Sequence, residues 1–189
     1  MMRVSPGPTE LAARLPRLFQ PSRVDYANCD LTFTVDPVPD DAINRLHLLA
    51  ITATGEVVVC ESSEGWRFLP GGRREPGESV DELAHREAME EAGLRLDGPP
   101  VVFGAHVAVS GDPAPHRPHF AHPVGYWAYA HVPATVVAEP TSPPDAEQIT
   151  GVHTLPPTQA IAYLEVHDPD HADVVRLAML AGILPADRG

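Results

Sequence analysis

The sequence predicts an α+β protein in which helices cover both faces of a mixed β-sheet, an α/β/α sandwich. Segments typical of strands lie on both sides of one central amphipathic helix, and two more helical segments follow the last strand. The chain has no internal repeat. With 189 residues and 43% hydrophobic content, it is long enough for one domain with a full core.

The strands are expected where apolar and polar residues alternate between turns rich in Pro, Gly or Asp. Thr54 and Gly55 form a turn that joins the second and third of these strands as a hairpin. The predicted strands are 31–35, 46–52, 56–60, 66–69, 101–109, 120–132 and 151–155.

The central helix is predicted at 80–92. Ser79 and Glu82 have the spacing of a capping box at its start. Gly93 ends it where a left-handed residue is favoured. The two C-terminal helices are predicted at 158–165 and 171–183.

Residues 1–28 are predicted to form an N-terminal arm, and residues 29–189 the main domain. Several prolines interrupt a short helical pattern in the arm. We expect the arm to be partly flexible or to pack on a partner, which would allow a homodimer.

The composition excludes several classes of function. A net charge of -13 argues against a nucleic acid polymer or an acidic membrane as partner, and no segment has the ~20 apolar residues of a membrane span. All thirteen basic residues are arginines, so lysine Schiff-base chemistry is excluded. Cys29 and Cys60 are too few for a disulfide framework and are read as reduced thiols, which predicts a cytoplasmic protein.

Three carboxylates share one face of the central helix. At about 100° per residue, Glu87, Glu90 and Glu91 project within an arc of about 100°. Such oxygen ligands suit Mg²⁺ or Mn²⁺ beside a phosphate. A solvated acidic face that binds no metal is the alternative interpretation.

The neighbouring residues favour the metal site. Gly71 and Gly72 allow a loop to approach closely and to offer backbone groups to a metal or a phosphate. Arg86 can pair with Glu82 or Glu90 and so hold the carboxylates in place. Glu78 can accept backbone N–H groups or reach the metal through water.

The spacing of these residues is G-x5-E-x7-R-E-A-x-E-E-x-G-L over residues 72–94. It resembles the signature of the Nudix hydrolases, and every fixed position matches; Ala88 is smaller than the usual aliphatic residue. The lead-in at 66–72 is also similar to the family's, and the order of elements extends the resemblance over roughly residues 30–165.

The resemblance implies a Nudix-type sandwich and Mg²⁺- or Mn²⁺-dependent hydrolysis of a nucleoside diphosphate linked to another moiety. It implies that Glu87 and Glu91 are the principal metal ligands, Glu90 is a further one, and the backbone of Gly71 or Gly72 completes the set. In this family an acidic residue in a later loop often assists the attack.

The candidates for that acidic residue are Glu139, Asp145 and Glu147, of which Glu147 matches best. A solvated loop carboxylate is an equally good interpretation. The predicted catalytic residues are therefore Glu87, Glu90 and Glu147.

The predicted substrate-binding residues are Arg67, Arg73, Glu78, Arg86 and His119. For Arg67 and Arg73 the alternative is a surface ion pair. His119 belongs to a Pro-rich loop in which His116, His119 and His122 recur every third residue, the period of polyproline II. They could touch phosphate, bind a second metal or simply be exposed. Tyr126 and Phe120 are candidates to stack on a base or to pack in the core.

A Nudix-fold binding or regulatory module without turnover is the alternative function, although a sensor has no need for every acidic ligand. The motif binds the diphosphate and does not distinguish nucleotide sugars, ADP-ribose, dinucleotides or damaged triphosphates. We expect selectivity to reside in residues 110–123 and 138–147, with the N-terminal arm as a further candidate.

Overall fold

The computed structural model describes residues 6–141 and 148–185. The helices are α1 (Pro8–Arg14), α2 (Pro16–Phe19), α3 (Val80–Ala92), α4 (Pro157–Leu164) and α5 (Pro169–Leu180). The strands are β1 (Ser22–Val24), β2 (Cys29–Thr34), β3 (Ile43–Ile51), β4 (Val57–Ser62), β5 (Arg67–Phe68), β6 (Gly71–Arg73), β7 (Leu94–Leu96), β8 (Val101–Ser110), β9 (Val124–Val136) and β10 (Ile149–Leu155). Within these described ranges, no helix is long and apolar enough to span a membrane.

The strands form one curled mixed sheet in the order β1-β2-β8-β9-β3-β4-β10. The central pair β3 and β9 is parallel, and its neighbours run antiparallel. β3 and β4 pair only at Ile51 and Val57, because they diverge beyond that point. The short strands β5 and β6 fill the gap, β5 on β4 and β6 on β3. This gap is where the glycine-rich loop enters the sheet.

Helices cover both faces of the sheet, so the predicted α/β/α sandwich is confirmed. Because side chains alternate along a strand, Leu46 and Leu48 of β3 pack under α3 with Leu83. Leu49, on the opposite face, packs with Leu177 of α5 and with the other helices. Each face of the sheet therefore has its own apolar core.

The central helix has the predicted bounds. The Ser79–Glu82 capping box is present, and Gly93 ends the helix in the left-handed conformation. Cys60 is buried in β4 as expected. The predictions missed β1, β6 and β7, which have three residues each and are too short to show a period.

Several predicted boundaries differ from the structure by up to four residues, and hydrogen bonds explain two of these differences. The strand expected at 120–132 begins at Val124, because Asn44 exchanges two hydrogen bonds with the backbone of Ala121 and holds that residue in the preceding loop. The last helix begins at Pro169 rather than at 171 because the Asp168 side chain accepts the N–H of His171 and caps it.

The N-terminal helices pack on the sheet and on α5 of the same chain. Leu11, Leu15 and Leu18 are buried in the core on the α5 side, where Phe19 meets Phe33 edge to face at 5.2 Å. Arg17 binds Glu165 at 2.6 Å and Asp173 at 2.9 Å. This part of the predicted arm contributes its apolar face to the main core.

We expect Leu18→Ala to lower the free energy of unfolding by about 2–5 kcal/mol, because it leaves a cavity beneath a residue that is 1% exposed. Val166→Ala, at a residue that is 60% exposed, is the control and should change it by less than about 0.5 kcal/mol. Urea unfolding measures both. Equal, small effects would mean that the N-terminal helices are not part of the core.

Candidate active site

The carboxylates of α3 line a cavity of about 1210 Å³ together with Gly71 and Gly72. Glu87 is 7% exposed, while Glu90 and Glu91 are partly exposed. The apolar residues Leu83 and Ala84 bury the first half of the helix. Its second half therefore carries the acidic side chains into the cavity.

Arg86 connects the carboxylates to one another. Its guanidinium donates to Glu78 at 2.8 Å, to Glu87 at 2.9 Å and to Glu90 at 3.2 Å. Of the two predicted partners, Glu90 is therefore paired, while Glu82 caps the helix instead. One positive charge thus offsets the repulsion among three negative ones.

Glu78 fixes the loop that leads into the helix. It accepts the N–H of Glu75 at 2.9 Å, as the sequence suggested, in addition to the bonds from Arg86. Burial acts to raise the pKa of Glu78, but the Arg86 and Glu75 hydrogen bonds outweigh it and lower that pKa. Glu78 therefore binds the loop and Arg86 as a carboxylate.

Gly72 allows the Glu87 carboxylate to lie directly against β6. A Cβ atom at position 72 would lie 2.2 Å from Oε1 of Glu87. Burial raises the pKa of Glu87, and the charge of Arg86 opposes that rise. A buried carboxylate of this kind gains stability from a cation beside it.

Gly71 joins the same loop to the next carboxylate. Its N–H donates to Oε2 of Glu91 at 2.7 Å. Its φ of +152° and the backbone of Leu46, 2.2 Å from where a Cβ would stand, leave room only for glycine. The loop is thus inserted between β3 and α3.

The donors present fit Mg²⁺ or Mn²⁺. They are oxygens of Glu87, Glu90 and Glu91 and the backbone of Gly72, and these ions usually take one or two carboxylates with water and substrate phosphate. Within the described residues, no three His, Cys, Asp or Glu side chains already converge as a complete cation site. Arg86 and the Gly71 N–H occupy carboxylate oxygens that would have to turn toward the ion.

Arginines occupy other parts of the cavity wall. Arg45, Arg67, Arg73 and Arg117 all line it, and none forms an ion pair with a described carboxylate. Burial and the charges of Arg45 and Arg117 lower the pKa of Arg73. The cavity therefore presents acidic and basic groups to the same space.

Arg67 and Arg73 were predicted as phosphate contacts, and Arg45 and Arg117 were missed. Arg67 lies over Tyr163 at 4.3 Å, and its buried Nε has no hydrogen-bond partner among the described residues. Arg45 directly precedes the strand predicted at 46–52, and Arg117 lies in a loop, so neither belongs to a local pattern. The pairing of β3 with β6 is what brings Arg45 beside Arg73.

Two histidines hold the backbone just before the glycines. His171 Nδ1 accepts the Leu69 N–H at 3.1 Å, and His47 Nδ1–H donates to the Leu69 carbonyl at 3.2 Å. Burial, reinforced by His171, lowers the pKa of His47 well below its usual value, and burial lowers that of His171 to about 3. Both rings are therefore neutral, and they fix Leu69 two residues before Gly71.

The histidine pair was not predicted. Its only sequence signal is the alternation that places His47 on the same face of β3 as Arg45. His106, which Tyr129 contacts through its hydroxyl at 3.3 Å, lies beside them on the cavity floor. These residues come from β3, β8, β9 and α5, so only the tertiary fold brings them together.

The histidines of the Pro-rich loop do not act as one set. His119 Nε2 donates to the carbonyl of Arg74 at 2.8 Å and does not line the main cavity. His122 Nε2 donates to the carbonyl of Asp112 at 2.9 Å. His116 is exposed and borders a second, smaller cavity.

The remaining candidates divide between core, cavity and undescribed residues. Tyr126 packs against the core under α3, whereas Phe120 lines the smaller cavity. Glu139 is exposed and does not line the main cavity. Asp145 and Glu147 lie outside the described residues.

We expect Arg86→Gln to lower the free energy of unfolding by roughly 1–3 kcal/mol, because it leaves three carboxylates without their shared partner. Arg95→Gln, which breaks an exposed pair with Asp97, is the control and should cost less than about 1 kcal/mol. Chemical denaturation measures both. Equal losses would contradict the role of Arg86 as the hub of the site.

Known proteins support the fold that carries this site. A family model described as the NUDIX domain matches residues 44–178. A mutant of the Bacillus subtilis pyrophosphohydrolase BsRppH superposes with a TM-score of 0.52 at 18% identity, covering 72% of this chain and 77% of that one. The MutT protein from Methanosarcina mazei Go1 gives 0.49 at 20% identity, with 76% and 97% covered. No curated protein sequence matches. Because the family model spans well over half of its residues, this chain belongs to the Nudix family.

Proposed function

We propose that this Nudix-type hydrolase uses Mg²⁺ or Mn²⁺ to cleave the pyrophosphate bond of a nucleoside diphosphate linked to another moiety. One observation carries the proposal: acidic side chains line the same cavity as arginines that form no ion pair with a described carboxylate, and Gly71 and Gly72 lie beside the acidic ones. A diphosphate needs both groups, because carboxylates reach it through a cation while guanidinium groups bind its oxygens directly.

In this proposal Glu87, Glu90, Glu91 and the backbone of Gly72 hold the cation. When bound, such an ion offsets the charge of the diphosphate and lowers the pKa of a water molecule for attack on phosphorus. Arg86, through its bonds to Glu87 and Glu90, holds their carboxylates in position.

Other residues act on the phosphates. Arg67 and Arg73 are proposed to bind phosphate oxygens, and this role is supported by the buried Nε of Arg67, which has no hydrogen-bond partner among the described residues. Glu78 and Arg86, predicted at the substrate, are proposed to act mainly by supporting the acidic residues. His119 holds its loop to Arg74, so a substrate contact would require it to leave that carbonyl.

Glu147 remains the proposed group that orients or deprotonates the attacking water. Gln148, which follows it directly in the chain, lines the cavity. A carboxylate performs this task within hydrogen-bond reach of the water, directly or through one further water. Glu90, whose side chain is 28% exposed, is the second candidate among the predicted catalytic residues.

We expect Glu87→Gln and Glu91→Gln to lower kcat by at least about 100-fold, because each removes a charged cation ligand. Asp81→Asn is the control, since it removes an exposed carboxylate from the same helix and should leave kcat unchanged. Phosphate or nucleotide release is measured over a panel of nucleoside diphosphate derivatives, with Mg²⁺ and with EDTA. Circular dichroism verifies that each variant is folded.

Two results would contradict the proposal. Near-normal turnover by either glutamine variant would exclude the metal assignment. A wild-type protein that turns over no panel member with Mg²⁺, yet binds one of them tightly, would instead be the binding module without turnover.

A further inference from the structure

Three arginines cluster at one part of the cavity, and none of them has a carboxylate partner in the part of the chain that the structure describes. The chain carries 26 acidic and 13 basic residues, so a carboxylate partner for each arginine would be easy to supply. Arg45, Arg73 and Arg117 nevertheless pair with none of the described carboxylates. Like charges brought together without counter-charges destabilise the fold, so an anionic ligand is the group that would offset them.

Arg73 and Arg45 lie on neighbouring strands that extend across the sheet away from the carboxylates of α3. Arg73 directly follows Gly72, which touches Glu87, and it lies opposite Arg45 of β3. Arg45 in turn lies beside Trp127 of β9, and its guanidinium stands 4.7 Å from the centre of that ring. At about 4.8 Å between strands, Trp127 is about 10 Å from the strand of Arg73.

A side cavity opens at this cluster. It has a volume of about 140 Å³, and Arg45, Arg73 and Trp127 line both it and the main cavity. Arg117 approaches from the Pro-rich loop, where it lies 5.8 Å from the ring of Phe120. The one described carboxylate on its wall, that of Asp112, accepts a hydrogen bond from Asn28 at 2.6 Å.

We propose that Arg45, Arg73 and Arg117 form a subsite for an additional phosphate group of the substrate, beyond the two phosphoryl groups joined by the cleaved bond. Planar guanidinium groups bind phosphate through paired hydrogen bonds. The inference rests on the proposed function and narrows it to nucleoside diphosphate derivatives that carry a third phosphate. That phosphate either continues the chain or is a monoester on the sugar.

Of this cluster, only Arg73 is also proposed to bind the cleaved diphosphate. In the proposed function, the diphosphate oxygens would be bound by a cation at the α3 carboxylates and by Arg67, which lies on β5, on the β4 side of the gap. Arg45 and Trp127 lie on the other side, one and two strands beyond β6. A group held by Arg45 and Arg117 is therefore a different part of the substrate.

Binding without turnover tests the subsite by itself. Calorimetry in EDTA compares ATP with ADP, and 2′-phospho-ADP-ribose with ADP-ribose, since each pair differs by one phosphate. In one of the two pairs, we expect the wild type to bind the ligand with the additional phosphate about tenfold more tightly than the ligand without it. The Arg45→Gln/Arg117→Gln variant should bind both members alike, and Arg45→Lys/Arg117→Lys should keep part of the preference. Arg95→Gln, which changes an exposed arginine outside both cavities, is the control and should behave as the wild type.

The two pairs also distinguish the sources of the phosphate. A preference for ATP assigns the subsite to a longer phosphate chain, and a preference for 2′-phospho-ADP-ribose assigns it to a sugar monoester. No preference in either pair, or a preference that survives the double glutamine variant, would overturn the inference. A preference that the variant abolishes, with no Mg²⁺-dependent hydrolysis of any probe, would keep the subsite and reject the proposed reaction.

Discussion

The acidic site depends on the guanidinium of Arg86, which offsets the electrostatic repulsion among the neighbouring carboxylates. Glu78, Glu87 and Glu90 would repel one another, and Glu87 is buried as well. Hydrogen bonds from this one guanidinium hold the three carboxylates close together and fix the loop against the helix. The arrangement leaves net negative charge at α3, which a divalent cation is suited to offset.

The sheet supplies the space in which this charge can act. Because β3 and β4 diverge, the segment of β5 and β6 enters between them and brings Gly72 against Glu87. His47 and His171 hold both backbone groups of Leu69 and so set the depth of that insertion. Arg45 and Arg73 line the same cavity as the α3 carboxylates, so opposite charges face it from different elements.

The parts of the site that sequence could predict are local. Capping residues, a terminal glycine and the 3.6-residue period placed α3 and its three carboxylates correctly, since all the residues concerned lie within one helix and its loop. Arg45 and His47 could not be identified in this way, because their significance depends on the pairing of β3 with β6 and on the packing of α5. For the same reason the sequence showed the helical pattern of α1 and α2, but it could not show that their leucines are buried in the main core.

Direct titration of the protein with Mn²⁺, followed by electron paramagnetic resonance, tests the central claim most closely. Binding is compared between the wild type, Glu87→Gln and the control Asp81→Asn, each shown to be folded. The account expects a bound-Mn²⁺ signal in the wild type and the control, and an affinity weakened at least about tenfold in Glu87→Gln, since second-sphere changes alone reach that size. Equal Mn²⁺ affinity in all three proteins would contradict it.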